Sequence, residues 1–171
     1  MRRIIPALLV TGSLLGGLPA ISFAQNNPGF TINWGGDLPR KQQLSYRLDY
    51  GTPNQWDRYH LRLKPQKIAI SQLSISYPDY YKGKFDPKAI SFFANRKKVA
   101  LSEVNLDKEN RLIELTPQEV IPAETPVEVV LSNVKNPRTG GMYFFNARVS
   151  SPGDVPVPRY VGTWALSIFK N

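Results

Sequence analysis

Apolar and polar residues alternate with a period of two through most of this chain. Leu44, Tyr46 and Leu48 alternate with Ser45, Arg47 and Asp49; Tyr59, Leu61 and Leu63 alternate with His60, Arg62 and Lys64. Successive side chains of a strand point to opposite faces, so this pattern predicts half-buried strands over residues 44–50 and 59–63. Residues 67–77 repeat it, with a change of phase near Gln72 of the kind a bulge or a crossing between sheets produces. Further strands are expected at 30–34, 89–93, 99–101, 127–134, 143–149 and 160–169. Residues 104–115 read as a hairpin turning through Asp107-Lys108-Glu109-Asn110, with Asn110 able to take the left-handed conformation. Val130 lies on the opposite phase from Val127, Val129 and Leu131, as in a central strand covered on both faces.

Turn chemistry separates these runs. Gly51-Thr52-Pro53-Asn54, Thr116-Pro117, Ile121-Pro122, Asn136-Pro137 and Ser151-Pro152-Gly153-Asp154 are turn signals between short strands that recur at spacings of about 8 to 12 residues. Gly140-Gly141 is expected to turn through positive φ. No window carries a helical period, and 15 Pro with 12 Gly would interrupt most helices. The fold class is therefore all-β, an antiparallel immunoglobulin-like sandwich of seven to nine short strands, with an open barrel as the alternative.

The first 24 residues stand apart. Arg2 and Arg3, an apolar stretch from 4 to 18 and Ser22-Phe23-Ala24 have the order of a secretory signal peptide. A retained anchor is the alternative, although Pro6, Gly12, Gly16, Gly17 and Pro19 interrupt a run shorter than a spanning helix needs. Residues 25–171 are then one domain, exported to the periplasm, the thylakoid lumen or the cell exterior. Without any Cys, that domain can hold no disulfide, thiolate metal site or Cys nucleophile.

Charge narrows the partners. The whole chain carries +9, and without the two leader arginines +7 remains. An exported basic domain favours envelope polysaccharide or another anionic surface, and outside the cytoplasm nucleic acid is not the expected partner. His60, the one histidine, sits on the polar phase of a strand with no partners for a triad or a metal. Asp79 and Asp86 could in principle flank a glycosidic bond, but next to proline and lysine they read as turn residues. No cofactor or metal is expected and no enzymatic constellation emerges. Trp34, Trp56 and Trp164 are expected in the core or at sandwich edges.

The stretch with functional character is the loop at 77–88 with the basic turn at 95–98. Lys82, Lys84, Lys88, Arg96, Lys97 and Lys98 outnumber Asp79 and Asp86 there, and Tyr80, Tyr81 and Phe85 lie between them. Aromatic faces stack on sugars or anchor protein contacts, and the cations attract anions. The same aromatics could instead fold back as a cap on the sandwich. Two roles follow: binding an anionic or carbohydrate component of the envelope, or pairing with an envelope protein through a sheet edge. An envelope hydrolase is a more distant third.

Leu115-Thr116-Pro117, the Ile121-Pro122-Ala123 connection, residues 129–141 ending Asn-Pro-Arg-Thr-Gly-Gly, Tyr143-Phe144-Phe145-Asn146 and Gly162-Thr163-Trp164 resemble a family of exported cyanobacterial proteins catalogued as a domain of unknown function. The loop at 77–87 is similar to that family too. The resemblance implies a compartment and a lineage. It brings no activity and no site.

Overall fold

The computed structural model describes residues 39–153 and 158–170; the leader, the strand expected at 30–34 and Trp34 lie outside them. Ten strands form among the described residues: β1 (Tyr46–Leu48), β2 (Trp56–Leu63), β3 (Gln72–Ser76), β4 (Ile90–Ala94), β5 (Lys97–Val99), β6 (Leu101–Asp107), β7 (Leu112–Pro117), β8 (Val127–Lys135), β9 (Gly141–Ser150) and β10 (Arg159–Ile168). A single 3-10 turn, Pro87–Ala89, precedes β4. All strand pairings are antiparallel, in two sheets of order β1-β2-β8-β4-β5 and β10-β9-β3-β7-β6. Leaving β5, β6 and β7 aside, the other seven strands occupy in chain order the A-B-E-D and C-F-G places of an immunoglobulin-like sandwich.

Period-two patterning explains the core. Tyr59, Leu61 and Leu63 of β2 and Val127, Val129 and Leu131 of β8 are buried, as are Leu73 and Ile75 of β3 and Phe145, Ala147 and Val149 of β9. The phase change at Gln72 is a crossing. Ile70 bridges Ile121 in the connection before β8, and from Gln72 onward the chain lies between β7 and β9. β8 is central, between β2 and β4.

The Gly162-Thr163-Trp164 run is where the sheets are tied. Gly162 has φ +147, and a Cβ there would stand 2.7 Å from the Gln42 carbonyl oxygen and from Leu44 Cγ. Only glycine lets residues 42–44 lie so close against β10. Those residues form a strap: Thr163 N–H donates to Gln42 O and Leu44 N–H to Thr163 O. Trp164, fully buried, donates its indole N–H across the sandwich to the Arg62 carbonyl at 2.9 Å.

Three turns differ from expectation. At 107–111 it is Arg111 that takes positive φ, while Asn110 is held by Asp107 through its backbone and side-chain amides. These bonds stabilise the Asp107 carboxylate and lower its pKa. Gly140 and Gly141 do not have positive φ; a Cβ on Gly140 would instead press on the Ile168 carbonyl at 3.2 Å. The basic turn at 95–98 is shorter than expected. Asn95 and Arg96, both at positive φ, make a two-residue hairpin loop, and Lys97 and Lys98 already belong to β5.

Candidate functional site

The loop at 77–88 packs onto one end of the sandwich. Tyr81 is 3% exposed, stacked on Phe85 at 5.3 Å and edge-on to Phe145 at 5.0 Å. Tyr80 stacks on Tyr143 at 5.6 Å, and Tyr77 meets both Tyr81 and Phe85. Such offset and edge contacts favour a fixed ring cluster. Tyr81 and Phe85 thus cap the core, and Tyr81 has no surface to offer a ligand.

Beneath the cap lies a buried polar knot. Tyr81 O–H donates to Tyr59 Oη, Tyr59 O–H to Asn136 Oδ1, and Asn136 Nδ2 to both Asp57 Oδ2 and the Thr52 carbonyl. The Asp57 carboxylate also accepts the backbone N–H groups of Tyr50, Gly51 and Arg58. No buried side-chain polar atom among the described residues lacks a partner. Asn136 opens the Asn-Pro-Arg-Thr-Gly-Gly motif, so that motif's first residue closes three segments of chain onto one another.

Burial pushes both phenols above their ordinary pKa of 10.0; at Tyr81 the neighbouring Tyr59 adds to the effect. The unfolded chain loses these protons near pH 10 while the folded one retains them, so stability is undiminished below that pH and falls as pH rises through and above it. The expected slope is up to about 1.4 kcal/mol per pH unit for each phenol. Urea unfolding between about pH 9 and 11 checks this. The double variant Tyr59→Phe/Tyr81→Phe should flatten the slope, and an unchanged slope would refute the assignment.

Outside the knot, the register lays three side chains in a row. Trp56 of β2 pairs with Lys135 of β8, and Lys135 pairs with Lys84 of the loop through two backbone hydrogen bonds. Trp56 is 61% exposed, with the Lys135 ammonium over its ring at 5.5 Å. Trp56, Lys84, Phe85, Asp86 and Asn133 line an open groove of about 470 Å³. Asp86 caps the 3-10 turn through Lys88 N–H and accepts from Asn133 Nδ2. Asn133, at φ +52, lies in the β8 bulge where the β2 register shifts.

Trp56 is the residue the sequence reading misplaced, since it expected a core or edge position. The signal was present: Trp56 shares the phase of Arg58, His60 and Arg62, while Asp57, Tyr59, Leu61 and Leu63 point inward. The predicted residues also separate. Lys82, Lys84 and Lys88 are exposed at the loop end, but Arg96 lies by Val127 and Lys97 pairs with Ala94, the partner of Val127, which is eight residues along β8 from Lys135. That places the two groups about 26 Å apart. Lys98 sits opposite Phe93 on the sheet's outer face. His60 is in the middle of that face, with its side chain 15% exposed among Arg47, Asp49 and Glu128. Among the described residues no His, Asp and Glu set gathers as a metal site would, and no helix is long and apolar enough to cross a membrane.

A family model described as a protein of unknown function (DUF2808) matches residues 31–168. The chain belongs to the DUF2808 family. No curated protein matches it. Among solved structures, this DUF2808 chain is similar to BslA, a bacterial hydrophobin, at 12% identity and a TM-score of 0.50, over 80% of this chain and 99% of that one. A collagen-binding domain from a Staphylococcus aureus adhesin is similar at 8% identity and a TM-score of 0.41, over 75% and 97%. A Nocardia farcinica protein with an immunoglobulin-like fold is similar at 9% identity and a TM-score of 0.37, over 74% and 99%. At these identities the likeness concerns the fold alone.

Proposed function

We propose that this DUF2808 chain is an exported, non-catalytic binding module whose end groove takes an anionic or carbohydrate component of the cell envelope. The observation that carries the reading is Trp56, a large aromatic standing out of the sheet beside Lys135, with Lys84 next in the row, on an open groove. A sugar ring stacks on an indole, and Lys84 and Lys135 attract a carboxylate or sulfate on the same unit. Lys82 and Lys88 are exposed on the same loop, while Phe85, stacked on the buried Tyr81, lines the groove. Export is supported by the leader pattern of residues 2–24.

Polygalacturonate tests the reading. Its addition should shift and quench the Trp56 part of the indole emission, isolated as a difference against Trp56→Phe. The double variant Trp56→Ala/Lys84→Ala should bind about tenfold more weakly. Equal affinity in the double variant would sink the assignment.

A second reading has its own observation. Among the described residues β6 ends its sheet with β7 as its one strand neighbour, whereas the strap at 42–44 already occupies part of the outer side of β10. An extended segment of an envelope protein could add there by backbone pairing. Salt distinguishes the two, because screening weakens a charge-driven complex and leaves strand pairing largely intact.

A further inference from the structure

The groove is one end of a longer feature. Successive residue pairs fix what the outer face of the β1-β2-β8-β4-β5 sheet carries. The first row is Trp56, Lys135 and Lys84; next comes Arg58; then Arg47 beside His60; then Arg62, Glu128, Phe93 and Lys98. Past this last row, Arg62, Lys64, Arg96 and Glu128 line a second depression of about 280 Å³. Trp56 and Arg62 are six residues apart on one strand, about 20 Å.

The acidic groups on this face do not cancel its charge. Arg47 and Arg58 both reach Asp49, and Arg62 reaches Glu128. The three arginine side chains are 53–55% exposed, the two carboxylates 25–29%. The carboxylates lie deeper than the guanidinium groups; Arg47 is held by Asp49 and by His60 Nε2 and Arg62 by Glu128, and about half of each arginine side chain stays open to solvent. A guanidinium fixed in this way loses less rotamer freedom on meeting an anion and offers a planar pair of donors to carboxylate or sulfate.

From this layout we infer that the outer face is a track for a linear anionic polysaccharide, running along β2 from the Trp56 groove to a second subsite at Arg62, Lys64 and Arg96. The inference rests on the proposed function of the groove and extends it. Cations strung along a flat face, rather than converging on one point, match charge repeated along a polymer and not a single small anion. Aromatic rings near both ends, Trp56 and Phe93, suit sugar units better than a bare polyanion.

The test compares a short uronic-acid oligomer, long enough only for the groove, with long polygalacturonate, on the full chain and on Arg62→Gln/Arg96→Gln. Both arginines are exposed, and the unfolding midpoint of the variant is measured alongside. The expected result is about a tenfold loss for the polymer, with a shallower salt dependence, and unchanged affinity for the oligomer. Unchanged oligomer binding also shows that the groove is still folded. Should the oligomer quench Trp56 while polymer affinity ignores both arginines, the track is overturned and the groove stands. Should neither ligand quench Trp56, groove and track fall together. Binding of polyphosphate as tightly as polygalacturonate would overturn the sugar assignment.

Discussion

Replacing Asn136 by alanine should cost about 3–5 kcal/mol of unfolding free energy, because three hydrogen bonds inside the knot go at once. The Asn136 amide donates to Asp57 and to the Thr52 carbonyl, and its oxygen accepts the Tyr59 hydroxyl. Alanine fills none of these roles. Asp57 keeps its three backbone donors, but the Tyr59 hydroxyl and the Thr52 carbonyl lose their partner at a site only 2% exposed. Asn136→Asp should be no better, since it sets a second carboxylate against the first. The check is the urea midpoint with an unchanged m value. A loss below about 1 kcal/mol would mean that the loops at 50–57 and 135–141 are held by something else.

Gly162→Ala should cost about 3 kcal/mol, through positive φ and through a collision that neither partner can avoid. The added methyl meets a backbone carbonyl, Gln42 O, and the buried Leu44 at 2.7 Å, so either the strap lifts or β10 bends. Thermal unfolding gives the magnitude. Hydrogen exchange at the Thr163 amide, whose partner is Gln42 O, tells which of the two yields. A stable variant with that amide still protected would show that the close approach is not required.

These two residues mark how far the sequence could be read. The sandwich was legible because alternation in 57–63, 127–131 and 143–149 matches the faces that are buried, and the DUF2808 match agrees with the resemblance as far as a domain of unknown function. Asn136 and Gly162 stood out as motif residues, but their reasons did not. A knot between residues 50–59, 81 and 136, or a strap crossing from 42 to 162, is a contact across the fold that no local pattern encodes. The same limit split the candidate site. Only eight residues apart in sequence, Lys88 and Arg96 flank a strand that carries the chain from one end of the sheet toward the other. Trp56 was legible from its phase, had the alternation been followed three residues upstream of Tyr59. The organised arginines of the outer face were not, since Arg47, Asp49 and Glu128 come from β1, its following turn and β8.

The strap at 42–44 also fixes how the protein answers a mechanical load. Gln43 and Thr163 form a parallel bridge, so the chain entering at residue 39 and the chain leaving at residue 170 run in the same direction along their contact. Tension applied between these two points pulls the strap and β10 past each other. The Gln42 to Thr163 and Thr163 to Leu44 hydrogen bonds, with the Tyr46 hydroxyl bond to Ser167 N–H, are then strained in shear and together. An antiparallel pair pulled from its open end parts one bond at a time. The strap therefore resists stretching along the chain more than its few bonds suggest.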